Sequence, residues 1–344
     1  MVSPIDDTPW LAWMEKLMAN SAAVPEAELP ASLFYCQLEK QPDHLVPQYA
    51  LAAGRQDPED LPLNPDCVFT ESGELPSRLS ESASSTEKLA LQGHVAWVPH
   101  LATRQLQPYW LSHELRDRLE DLRSGKGSSS DISPDAWAAL ATAGVLVKPS
   151  DAVAESRRWT ETLARAAREF QEREYVPVSG LIHPFHVAAL RRYYRHRVRT
   201  GGMVLGDGQS SRRYVAHNDG VARFFHRQLT SAMSAVAGEA VKPSYVYVAS
   251  YQGGAKLDVH TDRLQCEFSI TFCLDYAPEP QLATPWPLKL HTKTGIVTVY
   301  QAIGDALLYR GRSVPHSRDT LRQGQTSTSI FFHYVKEGFS GTLD

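Results

Sequence analysis

The chain has 344 residues and a formal net charge of -4, with 22% charged and 42% hydrophobic residues. This balance is that of a soluble globular protein, long enough for two or three domains and a sizeable core. It gives no reason to expect nucleic acid or an anionic membrane as partner, no run is apolar for long enough to span a bilayer, and the N-terminus lacks the basic and apolar regions of a secretory signal.

Trp10, Leu11, Trp13, Met14, Leu17 and Met18 recur at helical spacing and predict a short amphipathic helix packed on the rest of the protein. From about Leu29 to Ser85 the chain is rich in Pro, Asp, Glu and Ser. That composition predicts mainly loop, with helical stretches at Ala31 to Leu38 and Val46 to Ala53. His94 to Val147 reads as a compact unit. It has a short strand at Val95 to Val98 and a helix capped by Ser112 with Leu115, Leu119 and Leu122 on one side. After a Gly-Ser loop, Ser133 and Pro134 open a second helix, and Gly144 ends it before a strand at Val145 to Val147. Helix, turn, helix is similar to the small winged-helix modules that bind leader peptides in peptide-modifying enzymes. The plainer reading is a helical packing domain. Glu114, Asp117, Glu120 and Asp121 would repel phosphates. Residues 1–154 are thus expected to form a mainly helical N-terminal region, with a winged-helix-like unit at 94–147, that supports or recognises and does no chemistry. Residues 155–344 are expected to form a second domain.

That second domain opens with a predicted helix, Glu155 to Gln171, an extended segment, Tyr175 to Leu181, and a helix from His186 to Val198. Arg191, Arg192, Arg195, Arg197 and Arg199 lie at helical spacing and are expected to form a solvated face. Gly201 to Asp219 is rich in Gly, Ser and polar residues, and a loop of that length is expected to cover an active-site mouth. A further helix is predicted at Val221 to Ala237. Cys36, Cys67, Cys266 and Cys273 contain no C-x-x-C pair and read as reduced thiols of a cytoplasmic protein.

The organising stretch runs from Tyr245 to His316. Tyr245, Tyr247, Ala249 and Tyr251 alternate with Val246, Val248 and Ser250, the period of a strand, until Gln252-Gly253-Gly254 breaks it. His260 and Asp262 sit two apart, so both side chains leave one face of an extended segment. A third ligand must come from elsewhere, and His316 is the best candidate. It follows an apolar strand, Ala306 to Tyr309, and a short turn ending in Pro315. Strands at Glu267 to Leu274, Trp286 to Leu290 and Ser327 to Val335 complete the series. Antiparallel strands with short and medium loops suggest a double-stranded jelly roll. Two His and one carboxylate with open positions form the facial triad of non-heme Fe(II) oxygenases.

Y-Q-G-G-x(5)-H-T-D, G-D-A-L-L-Y-R-G and the distal P-H-S-R, in this order, resemble the Fe(II)/2-oxoglutarate-dependent oxygenases, in particular the prolyl-hydroxylase-like branch. The resemblance covers roughly Glu169 to Val335. It implies an α+β fold with a jelly-roll (double-stranded β-helix) core and supporting helices. It implies a dioxygenase hydroxylating an unactivated C–H bond of a small molecule or a peptide side chain. It further implies Fe(II) held by His260, Asp262 and His316, with 2-oxoglutarate and O2 as co-substrates and ascorbate supportive. Relatives often carry Arg or Lys about ten residues after the distal His, where this chain has Gly324 to Thr328 and no base. Arg318 is the first choice to bind the distal carboxylate, with Lys289, Arg310 and Arg312 in reserve and Thr326 and Thr328 as hydroxyl donors. Tyr251 matches a family Tyr whose hydroxyl binds 2-oxoglutarate. Related halogenases replace the carboxylate that is Asp262 here, so its presence implies hydroxylation or a close variant. A non-catalytic binding module on the same jelly roll, or a Zn(II) hydrolase using the same ligands, are the competing classes. Oligomeric state is not legible.

Overall fold

A computed structural model describes residues 36–42, 45, 60–71, 74–80, 93–100 and 103–344. The amphipathic helix expected at Trp10 to Met18, the helix at Val46 to Ala53 and most of that at Ala31 to Leu38 lie outside the described residues.

The N-terminal part holds β1 (Val68–Glu71), a helical turn α1 (Ser77–Ser80), β2 (His94–Pro99) and β3 (Leu106–Leu111), which pair antiparallel in the order β1-β2-β3. Helices α2 (His113–Arg123) and α3 (Pro134–Ala143) follow. Ser112 and Ser133 accept hydrogen bonds from the first helical turns, and Gly144 closes α3 at a φ of 81°. A three-stranded sheet therefore stands where mainly helix is expected, and its β2–β3 hairpin precedes both helices. Pro108 conceals β3 in the sequence, because proline removes a ladder donor. β3 tolerates it at the sheet edge, with all six of its residues buried.

Helix α4 (Pro149–Arg173) runs straight through the 154/155 boundary. One hydrophobic core joins Trp97, Tyr109 and Leu140 of the N-terminal part to Val246, Ile270 and Ile330 of the sheet beyond. Gln228 Nε2 donates to the Leu106 carbonyl at 2.9 Å, tying the same two parts.

Next come β4 (Tyr175–Ser179), α5 (Pro184–Arg199), β5 (Val204–Leu205), β6 (Arg213–His217), α6 (Gly220–Gln228) and α7 (Thr230–Ala237). The segment Gly201 to Asp219, expected as loop, thus contains a hairpin that extends a sheet. Three of the five α5 arginines expected as a solvated face, Arg191, Arg195 and Arg197, are instead matched by carboxylates. Arg191 is 4% exposed and pairs with Asp275 at 2.9 Å and Glu279 at 2.5 Å, while Arg195 reaches Asp275 at 2.5 Å. Arg197 pairs with Asp219, which also caps α6. Helical spacing alone cannot tell a solvated charge from one matched by a carboxylate distant in sequence.

Strands β7 (Val241–Gln252), β8 (Leu257–His260), β9 (Phe268–Ala277), β10 (Leu288–Thr292), β11 (Gly295–Val299), β12 (Asp305–Tyr309), β13 (His316–Arg318) and β14 (Thr326–Lys336) form the core. They are shared between two sheets, with β8, β10, β11 and β13 in the smaller one. One has the order β4-β12-β9-β14-β7-β6-β5 and the other β11-β10-β13-β8, and every pairing is antiparallel. Eight strands wound this way make a jelly roll. Helices α4 to α7 lie against the larger sheet at β4, β7 and β9. No described helix is long and apolar enough to cross a membrane. All four cysteines are free and buried.

Candidate active site

The antiparallel register sets His316 opposite His260, with ring centroids 4.3 Å apart. Directly opposed residues of two paired strands point to one face, so these imidazoles converge inside the barrel. Asp262 follows β8 by two residues. Its backbone N–H donates to the Gly311 carbonyl at 2.9 Å, which turns the carboxylate toward His316. Asp262 Oδ1 lies 3.6 Å from His316 Nε2. One ligand atom from each of His260, Asp262 and His316 falls within 4.8 Å of the others.

The second ring nitrogens are engaged. His260 Nδ1–H donates to the Asp258 carbonyl at 2.8 Å and His316 Nδ1–H to that of Val314 at 3.1 Å. Each imidazole thereby keeps a bare Nε2, the arrangement a metal-ligating histidine needs. Burial, then neighbouring His260, pushes His316 down to about 3, so the ring is neutral. Burial pushes the Asp262 carboxyl up to about 7, against the hydrogen bond from Ser269. A buried carboxylate beside a neutral imidazole is costly to ionise without a cation, and this donor set suits a divalent one.

These residues line a cavity of about 350 Å³ that continues inward to Tyr251 and Arg318. Arg318 is 4% exposed and lies two residues past His316, on the same strand face. One guanidinium nitrogen donates to the Trp286 carbonyl at 2.7 Å, and the group lies 4.6 Å above the Trp286 ring. Its Nε has no partner among the described residues. Burial lowers its pKa, and the titrating groups that act against this are tyrosines and Cys273, not carboxylates. Tyr251 is fully buried, packs edge-on against Trp286 at 5.0 Å and accepts a hydrogen bond from Arg213 at 2.8 Å.

The other proposed contacts lie elsewhere. Lys289 pairs with Asp319 at 2.6 Å and sits beside Ser317, on the outward face of β10. Arg310 lies over the rings of Phe170 and Phe268 at 5.3 and 5.1 Å, beneath α4. Thr328 pairs with Ser250 and donates to its hydroxyl at 3.0 Å. Thr326 shares that parity. Tyr251, which lines the cavity, instead faces Ser327. None of Lys289, Arg310, Arg312, Thr326 and Thr328 lines the cavity.

No protein-family model matches the chain, and no curated protein does. Solved structures do: the fold is similar to those of 2OG-Fe(II) oxygenases. A Pseudomonas putida prolyl-4-hydroxylase is 17% identical at a TM-score of 0.42, over 51% of this chain and 100% of that one. A prolyl hydroxylase from Trichoplax adhaerens, solved in complex with a hypoxia inducible factor oxygen degradation domain peptide fragment, is 12% identical at 0.45, over 55% and 94%. The epimerase SnoN from nogalamycin biosynthesis, solved with Fe3+, alpha ketoglutarate and nogalamycin RO, is 15% identical at 0.43, over 51% and 84%.

Several cavity residues escape the sequence reading. Arg213 lies in the segment expected as loop, yet on β6 it is 4% exposed and held by Asp207 at 2.5 Å. Asp207 also accepts from the Tyr247 hydroxyl at 2.5 Å, which clasps the hairpin turn to β7. Thr271 and His333, which line the cavity, and Ser269, which meets Asp262, are polar residues inside mainly apolar strands, Phe268 to Leu274 and Ile330 to Val335. Such an interruption is the one signal that would have marked them.

Proposed function

We propose that the protein is an Fe(II)/2-oxoglutarate-dependent dioxygenase that hydroxylates an unactivated C–H bond of a small molecule or a peptide side chain. The observation that carries this reading is the convergence of His260, Asp262 and His316 beside a buried arginine that has no carboxylate partner among the described residues. His260, Asp262 and His316 hold Fe(II), which together with O2 and 2-oxoglutarate supplies the oxidising chemistry. Arg318 binds the distal carboxylate of 2-oxoglutarate, and Tyr251, steadied by Arg213, donates its hydroxyl to the same group. A buried arginine beside the three ligands fits a dicarboxylate co-substrate, which neither a Zn(II) hydrolase nor a plain binding module requires. The barrel walls, with Tyr245, Tyr247 and Phe331 on the outer part of the cavity, exclude water and orient the substrate. Among the described residues, those before Glu155 contribute none of the cavity lining, and the region serves as support.

Purified protein supplied with Fe(II), ascorbate and O2 should convert 2-oxoglutarate to succinate and CO2, even without substrate. Absence of this turnover, with Zn(II) bound tightly in its place, would overturn the assignment. Losing one partner of a desolvated charge pair costs about 2–5 kcal/mol. Arg318→Ala should therefore raise the apparent constant for 2-oxoglutarate about 30-fold or more, and Lys289→Ala should leave it unchanged.

A further inference from the structure

Behind the carboxylate of Asp262 lies a cradle assembled from three separate stretches of chain. Ser269 Oγ, on β9, is 2.9 Å from Asp262 Oδ2 and 2.9 Å from His333 Nδ1, on β14. Gly311, just past β12, closes the third side. A Cβ there would stand 2.3 Å from Asp262 Oδ2 and 2.7 Å from Ser269 Oγ. Its φ is not in the left-handed region, so space, not backbone freedom, requires the glycine. Oδ2 is thus held by the cradle while Oδ1 faces His316.

Asp262, Cys266 and His333 also form a second group of ligand-type atoms within 4.8 Å of one another. One ligand-type atom of each is already engaged by protein. Cys266 Sγ meets the Tyr245 hydroxyl at 3.0 Å, and His333 Nδ1 meets Ser269. The His333 carbonyl in turn accepts from His226 Nε2 at 2.7 Å, which fixes the strand at this point.

We propose that Ser269, His333 and Gly311 are positioning residues that aim Asp262 at the metal, and that the second group is a hydrogen-bonded shell and not a second metal site. This rests on the reading of His260, Asp262 and His316 as metal ligands. A metal-bound carboxylate only accepts hydrogen bonds, so the Ser269 hydroxyl donates to Oδ2. Its lone pair then takes the Nδ1–H of His333, which sets that ring's tautomer. Shells of this kind change metal affinity about 10–100-fold when removed.

Anaerobic titration of Fe(II) into metal-free protein tests the proposal. The expected result is one iron per chain, with affinity weakened about 10–100-fold in Ser269→Ala, His333→Phe and Gly311→Ala. Melting of the metal-free Ser269→Ala protein should stay near that of the parent. His333→Asn, whose side-chain amide places a donor near the position of Nδ1, should retain most of the affinity. Ser329→Ala, elsewhere on β14, should retain all of it. Parental iron affinity in Ser269→Ala overturns the proposal, even where His333→Phe fails to fold. Two irons per chain, one of them lost in Cys266→Ser, overturns it as well. A parent protein that binds no iron defeats the metal-ligand reading itself, an outcome distinct from both.

Discussion

The two sheets of the barrel differ in how they are clothed. The seven-stranded sheet lies under helices α4 to α7, and nine of the ten residues of its strand β9 are buried. The four-stranded sheet presents Gly295, Ile296 and Thr298 of β11 to solvent, and its apolar inner side, Leu288 and Leu290, meets Leu307 and Tyr309 of the larger sheet in a small cluster. Both imidazoles of the candidate centre belong to the thinner sheet, whereas Ser269 and His333 behind Asp262 belong to the thicker one. The division suits a site of this kind, because ligands that open on a cavity cannot also be core, so rigidity must be lent by the sheet that faces them.

The largest expected effect follows from that division. His260→Ala or His316→Ala should abolish turnover and iron binding, while the melting temperature of the metal-free protein changes little. Iron content and thermal unfolding measured on the same samples check this, and unchanged iron occupancy would show the ligands to be misassigned. Asp275→Ala is the counterpart on the thicker sheet. Burial pushes the Asp275 carboxyl up, but Arg195 and Arg191 outweigh this and hold it at about 2. Removing one partner of a buried ion pair costs about 3–5 kcal/mol. Urea unfolding should show this loss, with iron affinity of the folded fraction intact.

How much of this was legible in the sequence divides along the same line. The strands with clean alternation, such as Tyr245 to Tyr251, and the H-x-D spacing were readable because period and geometry are local properties. The position of Arg318 on the cavity was readable because it lies two residues past His316. What was not legible depends on partners far apart in the chain. The α5 arginines looked solvated because Asp275 lies 80 residues beyond Arg195. Thr326 and Thr328 were assigned to the cavity, but the register of β14 against β7 turns Ser327 inward instead. Such a choice of face reverses with a single-residue step.

Smaller for each residue, and shared by the helix-covered side with His316, is an acid sensitivity. His183, His186 and His226 are at most 7% exposed. Burial pushes His183 down to about 4, His226 down to about 3, and His186 well below the usual range. Their unfolded-state values are near 6.5. Below that pH the unfolded chain binds protons that the folded chain refuses, so the stability these neutral rings permit is complete above about pH 6.5 and is lost as pH falls toward 4. Each histidine contributes about 1 kcal/mol per pH unit in that window. Urea midpoints between pH 7 and 4.5 should fall accordingly. His226→Gln should flatten the slope, and an unchanged slope in that variant would remove His226 from the account.

The smallest effect belongs to the bare face of the thin sheet. Ile296 is 61% exposed on β11, which forms an edge of that sheet, and it sits opposite His291. Little apolar area leaves water there on folding, so Ile296→Thr removes little transfer energy and keeps the β-branch that suits a strand. Such surface changes stay within about 0.5 kcal/mol, or roughly 2 °C in melting temperature for a domain of this size. The same exchange at Ile270, fully buried on β9, replaces an ethyl group in a packed core with a hydroxyl, at about 2 kcal/mol or more. Calorimetry on the two variants sets the contrast between the sheets as one number. A drop of several degrees in Ile296→Thr would mean that the outer face of the thin sheet is covered in solution, and the unequal clothing of the two sheets would have to be given up.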